Sequence, residues 1–166
     1  MQTDKNLKDA FAGESQASRR YIAFARKADI EGLPNVARLF RAAAEAETIH
    51  ALAHLDAAGE VGPTAANLKA AIKGEGFEFE EMYPKMVGQA KDENNAAAAR
   101  SFENALLAEE IHHGLYSEAL RAVEQGKDLP TKDTFVCRTC GNTGWGEAPD
   151  KCPVCGSKSE RFFKVL

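Results

Sequence analysis

The 166-residue chain has no apolar run approaching the roughly 18 residues that cross a bilayer, which excludes a helical membrane span. Its polar start, "MQTDKNLKDA", lacks the charged-then-apolar order of a secretory signal, so the expected setting is the cytoplasm. It also lacks the clustered basic stripe that neutralises phosphates, and nucleic acid is not expected as a partner. Cysteine is missing before position 137; all four cysteines fall between 137 and 155, as "CRTC" and "CPVC". In a reducing compartment that crowding argues for thiolate metal ligands rather than a disulfide framework.

What is present describes a long helical part and a small appendage. A hydrophobic content of 44% suffices for one sizeable core. The net charge of −4 divides unevenly: residues 134–166 hold five bases against three acids, a balance of +2, leaving −6 for the rest. Glycine and proline bracket four helical segments. The first runs from a Thr3/Asp4 cap to Gly32, and the second from Pro34 to the loop holding Gly59, Gly62 and Pro63. The third runs from a Thr64 cap to "KDENNA", and the fourth ends at Gly126. Each is roughly 24 to 30 residues, or about 36–45 Å at 1.5 Å per residue. Short loops between long helices predict an all-α, antiparallel four-helix bundle over residues 1–126. A linker over 127–134 and a β-rich, cysteine-bearing domain over 135–166 complete the predicted organisation.

The core stripes of these helices carry acids. Helix one places Leu7, Phe11, Glu14, Ser18, Tyr21, Ala25 and Ala28 on one seam; helix two places Phe40, Ala43, Glu47, His50 and His54 on another. Helix four gives Phe102, Ala105, Glu109, His112 and Tyr116, so Glu-x-x-His occurs twice, in "ETIH" and "EEIH". On helix three Glu75, Glu78 and Glu81 step by three, any adjacent two could face inward, and Glu78 is the central member. Buried carboxylates need protons or cations, and no matching lysines or arginines share the seams; Arg19, Arg20, Arg38 and Arg41 flank them. One Glu from each of two helices plus Glu-x-x-His from each of two others is the donor set of a two-iron carboxylate centre. The intervals agree with a duplicated helix pair: 33 residues from Glu14 to Glu47 and 31 from Glu78 to Glu109. A single Glu-x-x-His would read as a surface pair; two in matched positions read as metal ligands. Tyr21 and Tyr116 are either core aromatics or hydrogen-bond donors to those ligands.

Cys137-x-x-Cys140 and Cys152-x-x-Cys155, eleven residues apart and each followed by glycine, are spaced as a tetrathiolate site. Iron and zinc both accept four thiolates, and spacing does not choose between them. A redox-active carboxylate centre needs an electron source, which favours a one-electron Fe(Cys)4 centre over a structural zinc ribbon.

Together "FAGESQASRRY", "LFRAAAEAETIHA", "GEGFEFEEMYP", "AEEIHHGLY" and the two cysteine knuckles resemble rubrerythrin, a ferritin-like di-iron bundle followed by a rubredoxin-like domain. The resemblance spans essentially the whole chain. It implies that Glu14, Glu47, Glu78 and Glu109 bind two irons, with Glu47 and Glu109 bridging. It further implies that Glu81 and His50 exchange at one iron while His112 holds the other, and it leaves Glu75 outside.

The activity implied is peroxidase chemistry: a separate reductase using reduced nicotinamide cofactor feeds the Fe(Cys)4 iron, and the di-iron site reduces hydrogen peroxide to water in a homodimer or higher homo-oligomer. Two rival readings stand beside it. One is a ferroxidase or iron-handling protein; the other is a binding or scaffold protein with zinc in the same sites, zinc also being a possible occupant of the tetrathiolate on purification.

Overall fold

The computed structural model describes residues 1–165. The chain divides into two compact units, Met1–Gly62 and Pro63–Leu166. Leu166, the last residue of the predicted small domain, lies outside the described residues.

The first unit is a helical hairpin of α1 (Gln2–Ile30) and α2 (Pro34–Ala57). Cross-links at Lys8 to Glu60, Ser18 to Thr48 and Asp29 to Arg41 show that the helices run antiparallel. The reversal uses Gly32 at φ 74° and Pro34 in the first turn of α2, as its sequence punctuation predicts. Small side chains line the contact: Ser18, Ala25 and Ala28 on α1 bury against Ala37, Ala44 and Ala51 on α2. The alanine stripe of α2, three residues spaced seven apart, lies one position along from the Phe40, Ala43, Glu47, His50 seam. The helices therefore touch through alanine, and the acidic seam runs beside the contact. The larger residues Leu39, Ile49 and Leu52 are 69%, 66% and 60% exposed.

The second unit begins with α3 (Thr64–Phe77), passes through a π-helical turn (Glu78–Met82) into α4 (Tyr83–Asp92), and returns along α5 (Ala96–Glu124). The predicted third helix is thus one rod with a wide turn in it. Pro84 cannot donate to the Glu80 carbonyl, and the i→i+5 pattern just before it absorbs the missing bond. Thr64 is the first helical residue rather than the cap; the carbonyl of Pro63 instead accepts from Ala66 and Asn67, at 2.8 and 3.0 Å. Asn95 caps α5, its Oδ1 accepting from the Ala98 N–H at 3.1 Å. Pairs at Lys69 to Glu124 and Lys91 to Glu103 set the rod antiparallel to α5.

After α5 come β1 (Thr134–Cys137), β2 (Thr143–Trp145) and β3 (Phe162–Val165), an antiparallel sheet in the order β2-β1-β3. Phe135 stands edge-on to Phe162 at 5.2 Å and lies directly against Gly144. A Cβ at position 144 would sit 2.5 Å from the Phe135 ring, so only glycine fits there. Gly141 and Gly156 take φ of 83° and 74°, and their N–H groups return to the Cys137 and Cys152 carbonyls at 2.9 Å each. Left-handed backbone at these two positions closes both cysteine knuckles. The fold is therefore mainly helical with a small three-stranded module at its C-terminal end. Among the described residues no helix is long and apolar enough to cross a membrane.

Candidate metal centres

Among the described residues three clusters of metal-ligating side chains form, each with its donor atoms within 4.8 Å of one another. In the module, Cys137, Cys140, Cys152 and Cys155 converge, with Sγ separations of 3.7 Å between 137 and 155 and 3.6 Å between 140 and 152. Metal–sulfur bonds of 2.3 Å in a tetrahedron give sulfur–sulfur edges of about 3.8 Å, so the knuckles are spaced for a single ion. Burial pushes the Cys140 thiol up. Burial also opposes ionisation of Cys155, but hydrogen bonding with Ser157, 3.3 Å from its sulfur, outweighs it and brings the thiol down to about 6. A second polar contact comes from Asn142, itself buried, whose Nδ2 lies 3.7 Å from Cys152 Sγ.

The second cluster belongs to the α1/α2 hairpin and joins Glu14, Glu47 and His50. His50 Nδ1 lies 2.9 Å from Glu47 Oε2. One helical turn separates the two residues on α2, and α1 brings Glu14 to them, as the seams of both helices predict. Tyr21, from the same seam, packs at a tilt against Phe24 and Phe40 at ring separations of 6.2 Å each.

The third cluster joins Glu75, Glu109 and His112. His112 Nδ1 approaches Glu109 Oε2 to 2.6 Å. Its other nitrogen, Nε2, reaches the module, 3.2 Å from the Gly141 carbonyl oxygen and 3.1 Å from Thr143 Oγ1. The carboxyl of Glu75 is raised to about 7 by burial first, then by its hydrogen bond to Glu109 and by the Glu109 charge. Glu78 is raised as well, by burial and then by Glu109, so it lies in the same field although outside the tight cluster.

The share of helix three thus differs from the expectation drawn from the resemblance. Glu75, set aside there, completes the cluster, whereas Glu81 faces solvent and pairs with Lys85 at 3.5 Å. In a continuous α-helix Glu81 would stand about 120° round from Glu75. The wider π turn, at roughly 80–85° per residue, carries it nearly to the opposite side. Sequence spacing alone held no sign of that turn beyond Pro84 itself.

Two tyrosines lie in the field of the third cluster. Burial first, then the Glu75 and Glu109 charges, push the Tyr116 phenol up; burial first, then Glu78, Glu109 and Glu75, do the same to Tyr83. Both stay protonated phenols at neutral pH. Tyr116 was on the predicted seam, while Tyr83 and Thr143 carry no sequence signal of their own. His113, beside His112, packs edge-on against Phe79 at 5.3 Å.

The donor chemistry suits cations. A carbonyl oxygen only accepts, so His112 Nε2 carries the proton facing Gly141, and in the neutral ring this leaves Nδ1 as a lone pair toward Glu109. A lone pair and a carboxylate 2.6 Å apart repel unless a proton or metal ion lies with them. Burial and the neighbouring Glu109 carboxylate make Glu75 hold its proton more tightly than a free carboxyl does, and a divalent ion would replace that proton.

A helical carboxylate–histidine metalloprotein with an appended tetrathiolate module is what this fold and these donors define. The rubrerythrin family model matches residues 5–120, and the model described as rubrerythrin, rubredoxin-like domain, matches residues 135–163. Rubrerythrin-2 of Clostridium acetobutylicum is 36% identical, the match covering 94% of this chain and 92% of that protein. Nigerythrin of Nitratidesulfovibrio vulgaris is 37% identical over 96% of this chain and 85% of its own length. The solved structure of fully reduced, all-ferrous nigerythrin is similar with a TM-score of 0.58 at 33% identity, covering 98% of this chain and 86% of that one. The chain belongs to the rubrerythrin family.

Proposed function

We propose that the chain is a non-haem di-iron oxidoreductase of the peroxidase type, reducing hydrogen peroxide to water with electrons that enter through an Fe(Cys)4 centre in the small module. The observation that carries this reading is the contact of His112 Nε2 with the Gly141 carbonyl, 3.2 Å away, which joins a ligand of the carboxylate cluster to the residue that follows Cys140. An electron-accepting and an electron-donating centre thus share a hydrogen-bonded link within one compact unit. That nigerythrin is described in an all-ferrous state favours iron over zinc here.

Glu14, Glu47 and His50 would supply one half of the di-iron donors, and Glu75, Glu109 and His112 the other. Glu78, one helical turn beyond Glu75 and within the field of Glu109, would take the exchangeable role that the resemblance gives to Glu81. His112 is tethered, with its side chain 22% exposed, whereas that of His50 is 56% exposed, so His50 is the ligand free to come and go. The assembly proposed with this site is a homodimer or higher homo-oligomer. Two ferrous ions held there would each give up one electron, matching the two electrons that cleave one O–O bond. Tyr83 and Tyr116 hold their protons beside Glu75 and Glu109 and would offer O–H donors to peroxide entering the site. The electron donor is a separate reductase using reduced nicotinamide cofactor, and four cysteines gathered as ligands for one ion suit a reducing cytoplasm.

Stopped-flow oxidation of the iron-loaded, reduced protein tests the reading. Peroxide is expected to oxidise the carboxylate site faster than dioxygen does; the opposite ranking refutes peroxidase function. A chain that takes up zinc but no iron on reconstitution, remaining colourless, refutes the redox reading altogether.

A further inference from the structure

We infer that Thr143 of the small module is a positioning residue for His112, and that the module thereby sets which ring nitrogen of this histidine a metal meets. The inference rests on the reading of Glu109 and His112 as ligands and deepens it. The hydroxyl of Thr143 donates its one proton to the Gly141 carbonyl at 2.9 Å. With that proton used, Thr143 Oγ1 faces His112 as an acceptor, at 3.1 Å, next to the carbonyl at 3.2 Å. Two acceptors on one nitrogen fix the ring proton at Nε2 and hold Nδ1 toward Glu109.

The arrangement is built by the fold of the module. Thr143 opens β2 and pairs with Val136 of β1, so the sheet sets the direction of its side chain. Gly141, at φ 83°, turns its carbonyl to the same place immediately after Cys140. His112 is therefore held from both sides, by Glu109 on its own helix and by the knuckle of the module. A carboxylate–histidine pair alone would leave the ring free to rotate or to place its proton on Nδ1, where it would compete with a metal.

The test uses the full chain loaded with Zn(II) and labelled with ¹⁵N-histidine. In the wild type, zinc is expected to shift the His112 Nδ1 signal and the Nε2–H proton to exchange slowly with water. Thr143→Val is expected to speed that exchange at least about tenfold and to weaken Zn(II) at the carboxylate–histidine site about 10–100-fold, the usual effect of losing the outer partner of a ligating histidine. Thr143→Ser should restore both. Cobalt–thiolate absorption bands verify that the module is intact, and Thr143→Ala is read in the same way should valine disturb the strand. Exchange and affinity within twofold of wild type in the valine and alanine variants overturn the inference while leaving the ligand reading in place. No zinc-induced shift at His112 overturns the ligand reading and the inference together.

Discussion

Replacing Glu75 by glutamine separates the cost of its carboxyl from its use. In the metal-free chain the folded carboxyl is raised from 4.5 to about 7, by burial first and then by Glu109. Between those values the folded chain holds a proton that the unfolded chain has released, so stability falls as pH rises through the interval and stays low above it. A displacement of that size in a dry site corresponds to about 3 kcal/mol. Glu75 is only half-buried, and solvent screening reduces this to about 1 kcal/mol. Glutamine keeps the shape and a hydrogen-bonding amide but never ionises. Metal-free Glu75→Gln should therefore match wild type near pH 4 and exceed it by about 1 kcal/mol at pH 8, in urea unfolding followed by circular dichroism. With iron or cobalt bound the order reverses, because the variant has lost a ligand. A metal-free variant that is no more stable at pH 8 than at pH 4, relative to wild type, refutes the account of a strained carboxylate pair waiting for a cation.

Glu81→Gln should leave metal content unchanged and stability within about 0.5 kcal/mol, since it breaks only an exposed pair with Lys85; metal analysis of the purified variant decides whether Glu75 or Glu81 belongs to the site. Gly144→Ala forces a Cβ to within 2.5 Å of the Phe135 ring and should cost about 1–3 kcal/mol, read from the unfolding of the module through the fluorescence of Trp145, the chain's single tryptophan. Cys140→Ser should abolish tetrathiolate absorption while the carboxylate–histidine site still binds cobalt, which absorption titration of the two sites resolves.

Local rules carried much of this structure. Gly32, Gly59 and Gly126 end their helices at positive φ because an L side chain resists that conformation, and this preference is legible in any sequence. Cysteines at x-x spacing followed by glycine likewise announce their knuckle, because few other backbone paths bring two sulfurs onto one ion. The pairing of Glu47 with His50, and of Glu109 with His112, follows from helical period alone.

Helix three was ambiguous for a physical reason. Three glutamates at a step of three straddle a seam, and their facing depends on whether the turns between them are α or π. The π turn reflects Pro84 and packing against α5 together, so Glu75 became distinguishable from Glu81 only once the rod was folded. The resemblance implies Glu78 and Glu81 from that helix, whereas the tight cluster in the structure takes Glu75.

By itself, then, the order of residues determined which helices form, where they end, and that acids, imidazoles and thiols would gather as metal donors, because each of these follows from contacts within a few turns of chain. Tertiary structure alone decided that Glu75 sits with Glu109, that hairpin contact runs through alanine, and that Gly141 and Thr143 reach His112, about 30 positions distant. Such contacts depend on how separate elements are brought together in space, and no periodicity within one element encodes that.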